Sequence, residues 1–383
     1  MQRLLVPALW EVATTAAASF TGAWLYRINT PLPTIVVYYL IWFGVMAAVF
    51  GAGASLRRAL TVDTVQSMGL GVATLYLILF ATLGTDSRAW VWALAVLIGA
   101  ASGLYWLALY VQAALTIQTG DAAAYTSWLG MLETGAAVIV PPLTGWIVAS
   151  FPGILGYRLV FGGAAALVVG ALFVSRKHPS SSAVVRPRQQ SDHVSGWRPV
   201  LWTMALLGLR DGVLFFLPGL YLFFRTGNSV WLGAYLSTQA AVQTAAFWLF
   251  GRWPWHPAWT LVAALLGGLA IGTFPPVLGV FALGLSSGAT YPAFKVPLES
   301  HALEAIQKLP ASDQFRRTSQ KEWALNTGRM GGYVIVWGLV QTVTHPMPAL
   351  RTLLALWPAL AIALTMAVMT VNRTARARTK RPI

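Results

Sequence analysis

The sequence lacks cysteine, so it can form neither a disulfide bond nor a thiolate metal site. Its histidines are scattered over loops and span ends without metal-ligand spacing. It also lacks a glycine-rich lysine loop for binding ATP phosphates, and no cluster of catalytic polar residues falls at one depth. We therefore predict no cofactor, no metal ion and no enzymatic activity.

Charged residues are also scarce, at 10% of the chain against 57% hydrophobic residues. Apolar runs of about 20 residues, the length that crosses a bilayer, recur from end to end. The runs are continuous rather than alternating, which excludes a transmembrane β-barrel. The sequence thus predicts an all-α polytopic membrane protein with about twelve transmembrane helices, at residues 5–26, 34–56, 65–83, 89–115, 122–147, 155–174, 201–224, 230–250, 258–274, 277–298, 323–343 and 350–371.

Acidic residues are few, which leaves a net charge of +15. A nucleic-acid partner is not indicated, because the basic residues concentrate in alternate connections and at the C-terminus. On the other side, the connections carry only Arg27, Arg88 and Arg225. This asymmetry follows the positive-inside rule and predicts a multi-pass protein of the cytoplasmic membrane, with lipid as its surroundings and both termini cytoplasmic. No cleavable signal peptide is expected.

Polar segments divide the chain. The longest, residues 175–199, is rich in Ser, Pro and Arg and has six spans on each side. It predicts an N-terminal bundle at 1–174, a flexible cytoplasmic linker at 175–199 and a C-terminal bundle with a basic tail at 200–383. A second polar segment, residues 300–321, is interpreted either as a charged loop or as a short amphipathic surface helix at 303–308.

Two sequence matches indicate an internal duplication. GAASGLYWLALYV (99–111) aligns without gaps with GLSSGATYPAFKV (284–296), and LETG (132–135) aligns with LNTG (325–328). The matches occur in the same order on corresponding spans of each half. Two parallel six-helix pseudo-repeats would place a substrate site near the bilayer midplane, where rocking of the halves exposes it alternately to each side.

The twelve spans, basic central connection and duplicated halves resemble the major facilitator superfamily of secondary transporters. GASLRRALTVD (53–63) keeps the glycine Gly53 and the basic pair Arg57 and Arg58 of the family's gating loop, but lacks the Asp expected between them. PPLTG (141–145) keeps part of the family's fifth-helix motif. GLRDGVLFF (208–216) with LNTGRMGG (325–332) resembles a poorly characterised group of bacterial permeases. The resemblance implies that helices 1, 4, 7 and 10 line a cavity, that 2, 5, 8 and 11 flank it, and that the rest support it.

Three acidic residues inside spans are candidates for proton coupling. Glu133 is the first choice, because a carboxyl group held within the membrane can bind and release a proton. A hydrogen-bonded structural carboxyl is the alternative. Asp211 and Glu11 are the others, although Glu11 could instead be a helix-end residue that reaches water.

Basic and amide side chains are candidates for substrate binding. Arg329 and Asn326, one turn apart, suit an anionic group, although Arg329 could instead reach the helix end. Arg210 precedes Asp211, and neighbours on a helix point about 100° apart, so the two need not pair. A gating or structural pair is the alternative. For Lys295, a local ion pair with Glu299 is favoured over substrate contact.

Aromatic residues crowd the candidate cavity helices, including Tyr105, Trp106 and Tyr291. Such side chains suit an amphipathic or aromatic solute. Tyr105 and Trp106 are adjacent on one helix, so only one of them can face inward.

These features predict a proton-coupled secondary transporter, such as an antiporter, for a small organic solute. Efflux of amphipathic compounds is slightly favoured because the pathway looks aromatic and sparsely charged. Uptake or facilitated entry of an anionic metabolite through Arg210 or Arg329 is the alternative. A lipid-moving protein or a membrane enzyme on a similar scaffold is the alternative of another class. A monomer is expected because one chain would contain the whole pathway.

Overall fold

The computed structural model describes residues 2–117, 121–151, 153–177, 197–215, 217–250, 257–342 and 346–379. Within these ranges all regular structure is helical, and the helices form twelve membrane-spanning segments. They are α1 (Gln2–Arg27), α2 (Leu32–Ala59), α3 (Val62–Leu83), α4 (Val91–Thr116), α5 (Ala122–Ser150), α6 (Leu155–Lys177), α7 (Trp197–Leu214), α8 (Leu217–Thr226), α9 (Ser229–Phe250), α10 (Pro257–Thr273), α11 (Pro276–Gln307), α12 (Ala311–Thr342), α13 (Pro346–Ala355) and α14 (Trp357–Thr379).

Two spans that the sequence predicts as continuous helices are each built from two helices. The seventh span consists of α7 and α8, and the twelfth consists of α13 and α14. A proline, Pro218 or Pro358, occupies the second position of the later helix in each case. Proline has no N–H to donate to the preceding turn but fits the first turn of a new helix, so the span restarts there.

Eight of the described helical segments are long and apolar enough to cross a membrane by composition alone. One further apolar helix, α10, has 17 residues. Helices α1, α9 and α12 do not meet this criterion, and α12 is the most polar of the three because it carries Lys321, Glu322 and Arg329. These side chains are directed into the protein rather than towards lipid, which allows a helix of this composition to span.

The polar segment between the tenth and eleventh spans is neither a charged loop nor a separate surface helix. Helix α11 continues to Gln307 and α12 begins at Ala311. The predicted surface helix at 303–308 is the last turn of α11, where Ile306 is buried. Each helix has 32 residues, or about 48 Å, so it extends beyond a hydrocarbon core of about 30 Å.

The predicted gating loop between the second and third spans is also mostly helical. Arg57 and Arg58 lie in the last turn of α2, and only Leu60 and Thr61 connect it to α3. Thr61 caps α3 by accepting a hydrogen bond of 3.2 Å from the backbone N–H of Thr64. The side chains of the two arginines lie outside the described part of the structure.

The predicted central linker falls largely outside the described residues. Helix α6 ends at Lys177 and α7 begins at Trp197, so each helix extends three residues into the segment 175–199. Residues 178–196 are not described, and the division into domains remains a prediction.

The halves, α1–α6 and α7–α14, meet mainly along two helix pairs, α2 with α12 and α5 with α9. Within each half, the glycines of the repeated motif have the same packing role. A Cβ on Gly99 of α4 would meet the carbonyl oxygen of Trp42 in α2 at 2.5 Å. A Cβ on Gly284 of α11, which aligns with Gly99, would meet the ring of Tyr235 in α9 at 2.6 Å. The two pseudo-repeats are confirmed by this equivalence and by the fold.

Helices α7 and α12 pack backbone against backbone through GLRDG (208–212) and GRMGG (328–332). A Cβ on Gly208 would collide with the carbonyl oxygen of Leu325, and one on Gly328 would collide with that of Ala205. Two small-residue motifs with four-residue spacing therefore face each other. This contact brings Arg210 and Asp211 of α7 beside Arg329 of α12.

Candidate functional site

A cavity of about 370 Å³ lies between the two halves. This volume is within the range of small-molecule sites. Helices of the first, fourth, seventh and tenth spans contribute to its wall, as the resemblance implies. Its charged wall residues come from five helices and are Glu11, Glu133, Arg210, Asp211, Lys295, Glu322 and Arg329.

Helix α11 places a polar or charged contact at every fourth position along one face. Ser287, Tyr291, Lys295 and Glu299 follow each other at one turn, or about 6 Å of rise. Each of them contacts an ionisable group of another helix, as the following contacts show. Helix α11 therefore orders the charged groups of the site from one end to the other.

The first group is the Arg210 cluster, defined as Arg210, Asp211, Arg329 and Asn326. Arg210 donates from Nη1 to Oδ1 of Asp211 at 2.8 Å and from Nη2 to the carbonyl oxygen of Ser287 at 3.0 Å. Its guanidinium carbon lies 4.4 Å from the ring centre of Tyr291, a cation–π contact. The sequence leaves open whether these adjacent side chains pair, and in the structure they pair directly.

Arg329 binds the other oxygen of the same carboxylate. It donates from Nη2 to Oδ2 of Asp211 at 3.3 Å and from Nη1 to Oδ1 of Asn326 at 3.1 Å. It also lies 5.1 Å from the ring centre of Phe43 in the other half. This position contradicts the helix-end alternative. Asn326 is fully buried behind the wall, so it positions Arg329 rather than meeting a solute directly.

The second group is the ion pair between Lys295 and Glu133, with 2.5 Å between Nζ and Oε2. The expected local pair of Lys295 with Glu299 is wrong, because Lys295 turns across the interface to α5 of the other half. Lys295 is only 8% exposed. Oε1 of Glu133 is buried and accepts no hydrogen bond within the described residues.

Glu11 lies on the cavity wall and is 8% exposed, so it is not a helix-end residue that reaches bulk water. It lies within electrostatic range of Glu133 and Lys295. Among the residues that the structure describes, it has neither a hydrogen-bond nor an ion-pair partner. It is therefore a carboxyl group available to a bound solute or a proton.

The third group, the basal layer, consists of Lys321, Glu299 and Glu322. Nζ of Lys321 contacts Glu299 and lies 2.8 Å from Oε1 of Glu322. It also lies 4.5 Å from the ring centre of Tyr110 in the other half. Sequence reasoning did not assign Lys321 or Glu299 to the site. The four-residue spacing from Lys295 to Glu299 is the signal that could have found the latter.

Beyond the basal layer, the helices close the end of the bundle that carries the chain termini, here called the terminal end. Gln307 of α11 donates a hydrogen bond of 2.9 Å to the carbonyl oxygen of Ile117, at the end of α4. At the opposite end, Tyr26 of α1 contacts the ring of Phe224 in α8, with 4.3 Å between ring centres. The two ends are thus bridged by different kinds of contact.

The aromatic candidates divide between the wall and the layer behind it. Trp106 lines the cavity and stacks on Tyr110, while Tyr291 lies between Arg210 and Lys295. Tyr105 is fully buried and stacks on Trp10 with 3.9 Å between ring centres. Direct contact between Tyr105 and a solute is therefore not supported.

Helix α3 also reaches the wall, which the resemblance did not imply for a supporting helix. Its Tyr76 lines the cavity and shares a hydrogen bond of 2.9 Å with the hydroxyl group of Tyr38. The Thr21 hydroxyl lies 3.5 Å from that of Tyr76. The three hydroxyl groups come from three different helices, so no spacing along the sequence predicts this cluster.

No family model matches the sequence. The chain is 22% identical over 343 residues to the uncharacterized protein YqgE of Bacillus subtilis. The matched region covers 85% of this chain and 79% of that protein. A bacterial homologue of the iron transporter ferroportin in its outward-facing state superposes with a TM-score of 0.69 at 15% identity, over 97% of this chain and 98% of that one. The E. coli fucose:proton symporter FucP superposes with a TM-score of 0.66 at 15% identity, over 96% of this chain and 98% of that one.

These structures belong to transporters, and their overlap with this chain is nearly complete. The chain therefore has the twelve-helix fold of the major facilitator superfamily, as its sequence features imply.

Proposed function

We propose that the chain is a secondary active transporter that moves a small organic solute across the cytoplasmic membrane by alternating access, coupled to protons. The observation that carries the proposal is the charged cavity between the two pseudo-repeats, crossed by the ion pair of Lys295 with Glu133. A site at the interface of parallel repeats is what alternating access requires. The proposal places both termini in the cytoplasm and one complete pathway in each chain.

Proton coupling is assigned to the carboxyl groups next to Lys295. A proton on Glu133 removes one charge of the pair that links α5 to α11, which weakens the contact between the halves. Glu11 lies on the same cavity wall and interacts electrostatically with both members of the pair, so it is the second carboxyl group assigned to coupling. Protonation and movement of the halves are thereby linked.

The structure weakens the sequence-based argument for the direction of transport. Efflux was favoured for a sparsely charged pathway, yet the cavity wall has charged side chains from both halves. The Arg210 cluster has two guanidinium groups for one carboxylate. That excess of positive charge supports the second candidate, a transporter for a solute with an anionic group.

Proton flux in proteoliposomes tests the proposal. The purified protein is given a pH gradient and a panel of charged and neutral organic solutes, and Glu133→Gln is compared with Glu304→Gln. Glu304 lies on α11 outside the cavity wall, so the control makes the same chemical change away from the site. We expect solute-dependent proton flux in the wild type and the control and its loss in Glu133→Gln. Equal solute movement without protons in all three would overturn the coupling.

A further inference from the structure

The cavity has two regions of opposite excess charge. In the Arg210 cluster, two arginines share the single carboxylate of Asp211. Around Lys295, the single ammonium group pairs with Glu133, and Glu11 lies on the same cavity wall within electrostatic range of both. With all these groups ionised, the first region has one more positive than negative charge and the second has one more negative than positive charge. The basal layer, with Lys321 between Glu299 and Glu322, is a third region with its own negative excess and is not part of this comparison.

Each region also has unused bonding capacity. Nε of Arg210 is buried and donates no hydrogen bond within the described residues. Oε1 of Glu133 is buried and accepts none there. Glu11 lies on the cavity wall without a hydrogen-bond or ion-pair partner among the described residues. Buried donors and acceptors are normally satisfied, so these atoms indicate groups that a ligand would supply.

Tyr291 lies between the two regions and so defines the distance between them. Its ring lies 4.4 Å from the guanidinium carbon of Arg210 and 5.6 Å from Nζ of Lys295. Because Tyr291 and Lys295 are one turn apart on α11, the regions are separated by about 6 Å along that helix. Trp106 supplies a further aromatic wall residue.

We propose that the transported solute is a zwitterion. Its anionic group binds at Arg210 and Arg329, its ammonium group binds at Glu11 beside Glu133, and its apolar part contacts Tyr291 and Trp106. This inference rests on the proposed function and specifies the substrate class of the same cavity. Closure of the cavity removes water from both regions, and an unpaired charge without water is costly. A solute with one charge balances only one region, whereas a zwitterion balances both.

Matched ligands test the charge requirement in the wild-type protein. Thermal unfolding of the purified protein is followed with phenylalanine, with 3-phenylpropionate, which lacks the ammonium group, and with phenethylamine, which lacks the carboxylate. Two zwitterions with wider charge separation, 6-aminohexanoate and a glycine–phenylalanine dipeptide, are added. We expect at least one zwitterion to raise the unfolding midpoint and to be carried into proteoliposomes, with both single-charge analogues binding about tenfold or more weakly.

Two variants test the placement of each charge. Glu11→Gln should reduce affinity for the zwitterion about tenfold and leave binding of 3-phenylpropionate, which has no ammonium group, unchanged. Arg329→Gln should also reduce affinity for the zwitterion about tenfold and leave binding of phenethylamine, which has no carboxylate, unchanged. The controls are Glu304→Gln and Arg198→Gln, which make the same changes on α11 and α7 outside the cavity wall.

The outcomes separate this inference from the proposed function. If only singly charged or neutral solutes bind and are transported, the zwitterion inference is wrong while the transporter stands. If no solute of any charge class binds or is transported by protein that unfolds cooperatively, both are wrong.

Discussion

Lys295 and Glu133 are 162 positions apart in the chain, yet their side chains meet at 2.5 Å across the interface between the two pseudo-repeats. The pair is largely shielded from solvent, with side-chain exposures of 11% for Lys295 and 17% for Glu133. It is a direct ionic link between α5 and α11, and both residues also line the cavity.

This pairing predicts a non-additive effect on stability. Glu133→Gln or Lys295→Gln alone leaves the other charge buried without its partner, which costs about 3–5 kcal/mol. The double variant removes both charges and should be more stable than either single variant. Thermal unfolding in detergent measures the three midpoints. Simple addition of the two losses would show that the pair does not interact as described.

The close packing of α7 on α12 predicts a position-specific effect of glycine substitution. Gly328→Ala introduces a methyl group against the carbonyl oxygen of Ala205, so the helices must separate and the Arg210 cluster must distort. We expect a loss of about 2 kcal/mol or more, together with loss of solute binding. Gly338→Ala on the same helix is the control, because a Cβ there meets no atom within 4 Å. Equal stability of the two variants would contradict the packing.

The basal layer predicts a change in access from the terminal end. Lys321→Gln removes the cation that contacts the Tyr110 ring of the other half and leaves Glu299 and Glu322 without a counter-charge, so that end should open more often. Ala113 lines a small pocket beside Lys321. In an Ala113→Cys background, the rate of maleimide labelling of the new cysteine in vesicles reports how often this end opens. Native cysteine is absent, so the background is low.

We expect labelling to rise by about tenfold in Lys321→Gln, which corresponds to the loss of one desolvated cation–π contact between the halves. Lys308→Gln is the matched control, because Lys308 is exposed at the end of α11. Unchanged labelling in Lys321→Gln would mean that the layer does not hold this end closed.

The adjacent aromatic residues of α4 should separate binding from stability. Trp106→Ala removes a wall residue and should weaken solute binding with a small change in the unfolding midpoint. Tyr105→Ala removes a fully buried ring stacked on Trp10 and should cost about 3–5 kcal/mol. Ligand titrations and unfolding curves on both variants give the comparison. Equal effects on both quantities would contradict the placement of the two rings.

The fold was predictable from the sequence because long apolar runs, the distribution of basic residues and the duplicated motifs are local signals. Several charged residues of the site were predictable in the same way. These are Glu133, Arg210, Asp211 and Arg329, which lie inside spans, where each charge must have a protein partner or face a cavity. The partners themselves were not predictable. Helix spacing favoured Glu299 for Lys295, but three-dimensional packing brought Glu133 closer and gave Glu299 to Lys321.

The breaks in the seventh and twelfth spans show the same limit of local reasoning. Pro218 and Pro358 are visible in the sequence, but a proline inside an apolar run is compatible with a kinked continuous helix as well as with a restart. The glycines of GLRDG and GRMGG were visible too. Only the structure shows that they face each other and thereby set the position of the Arg210 cluster.

The two ends of the bundle are bridged by unlike contacts, and this difference has a consequence for the empty protein. Opening the terminal end means parting Lys295 from Glu133 and Lys321 from the ring of Tyr110, whereas opening the other end means separating the rings of Tyr26 and Phe224. Separating ions within the membrane takes more free energy than sliding rings apart. We therefore expect the unloaded carrier to rest facing the compartment opposite its termini, so that solute from that side is the first to meet it.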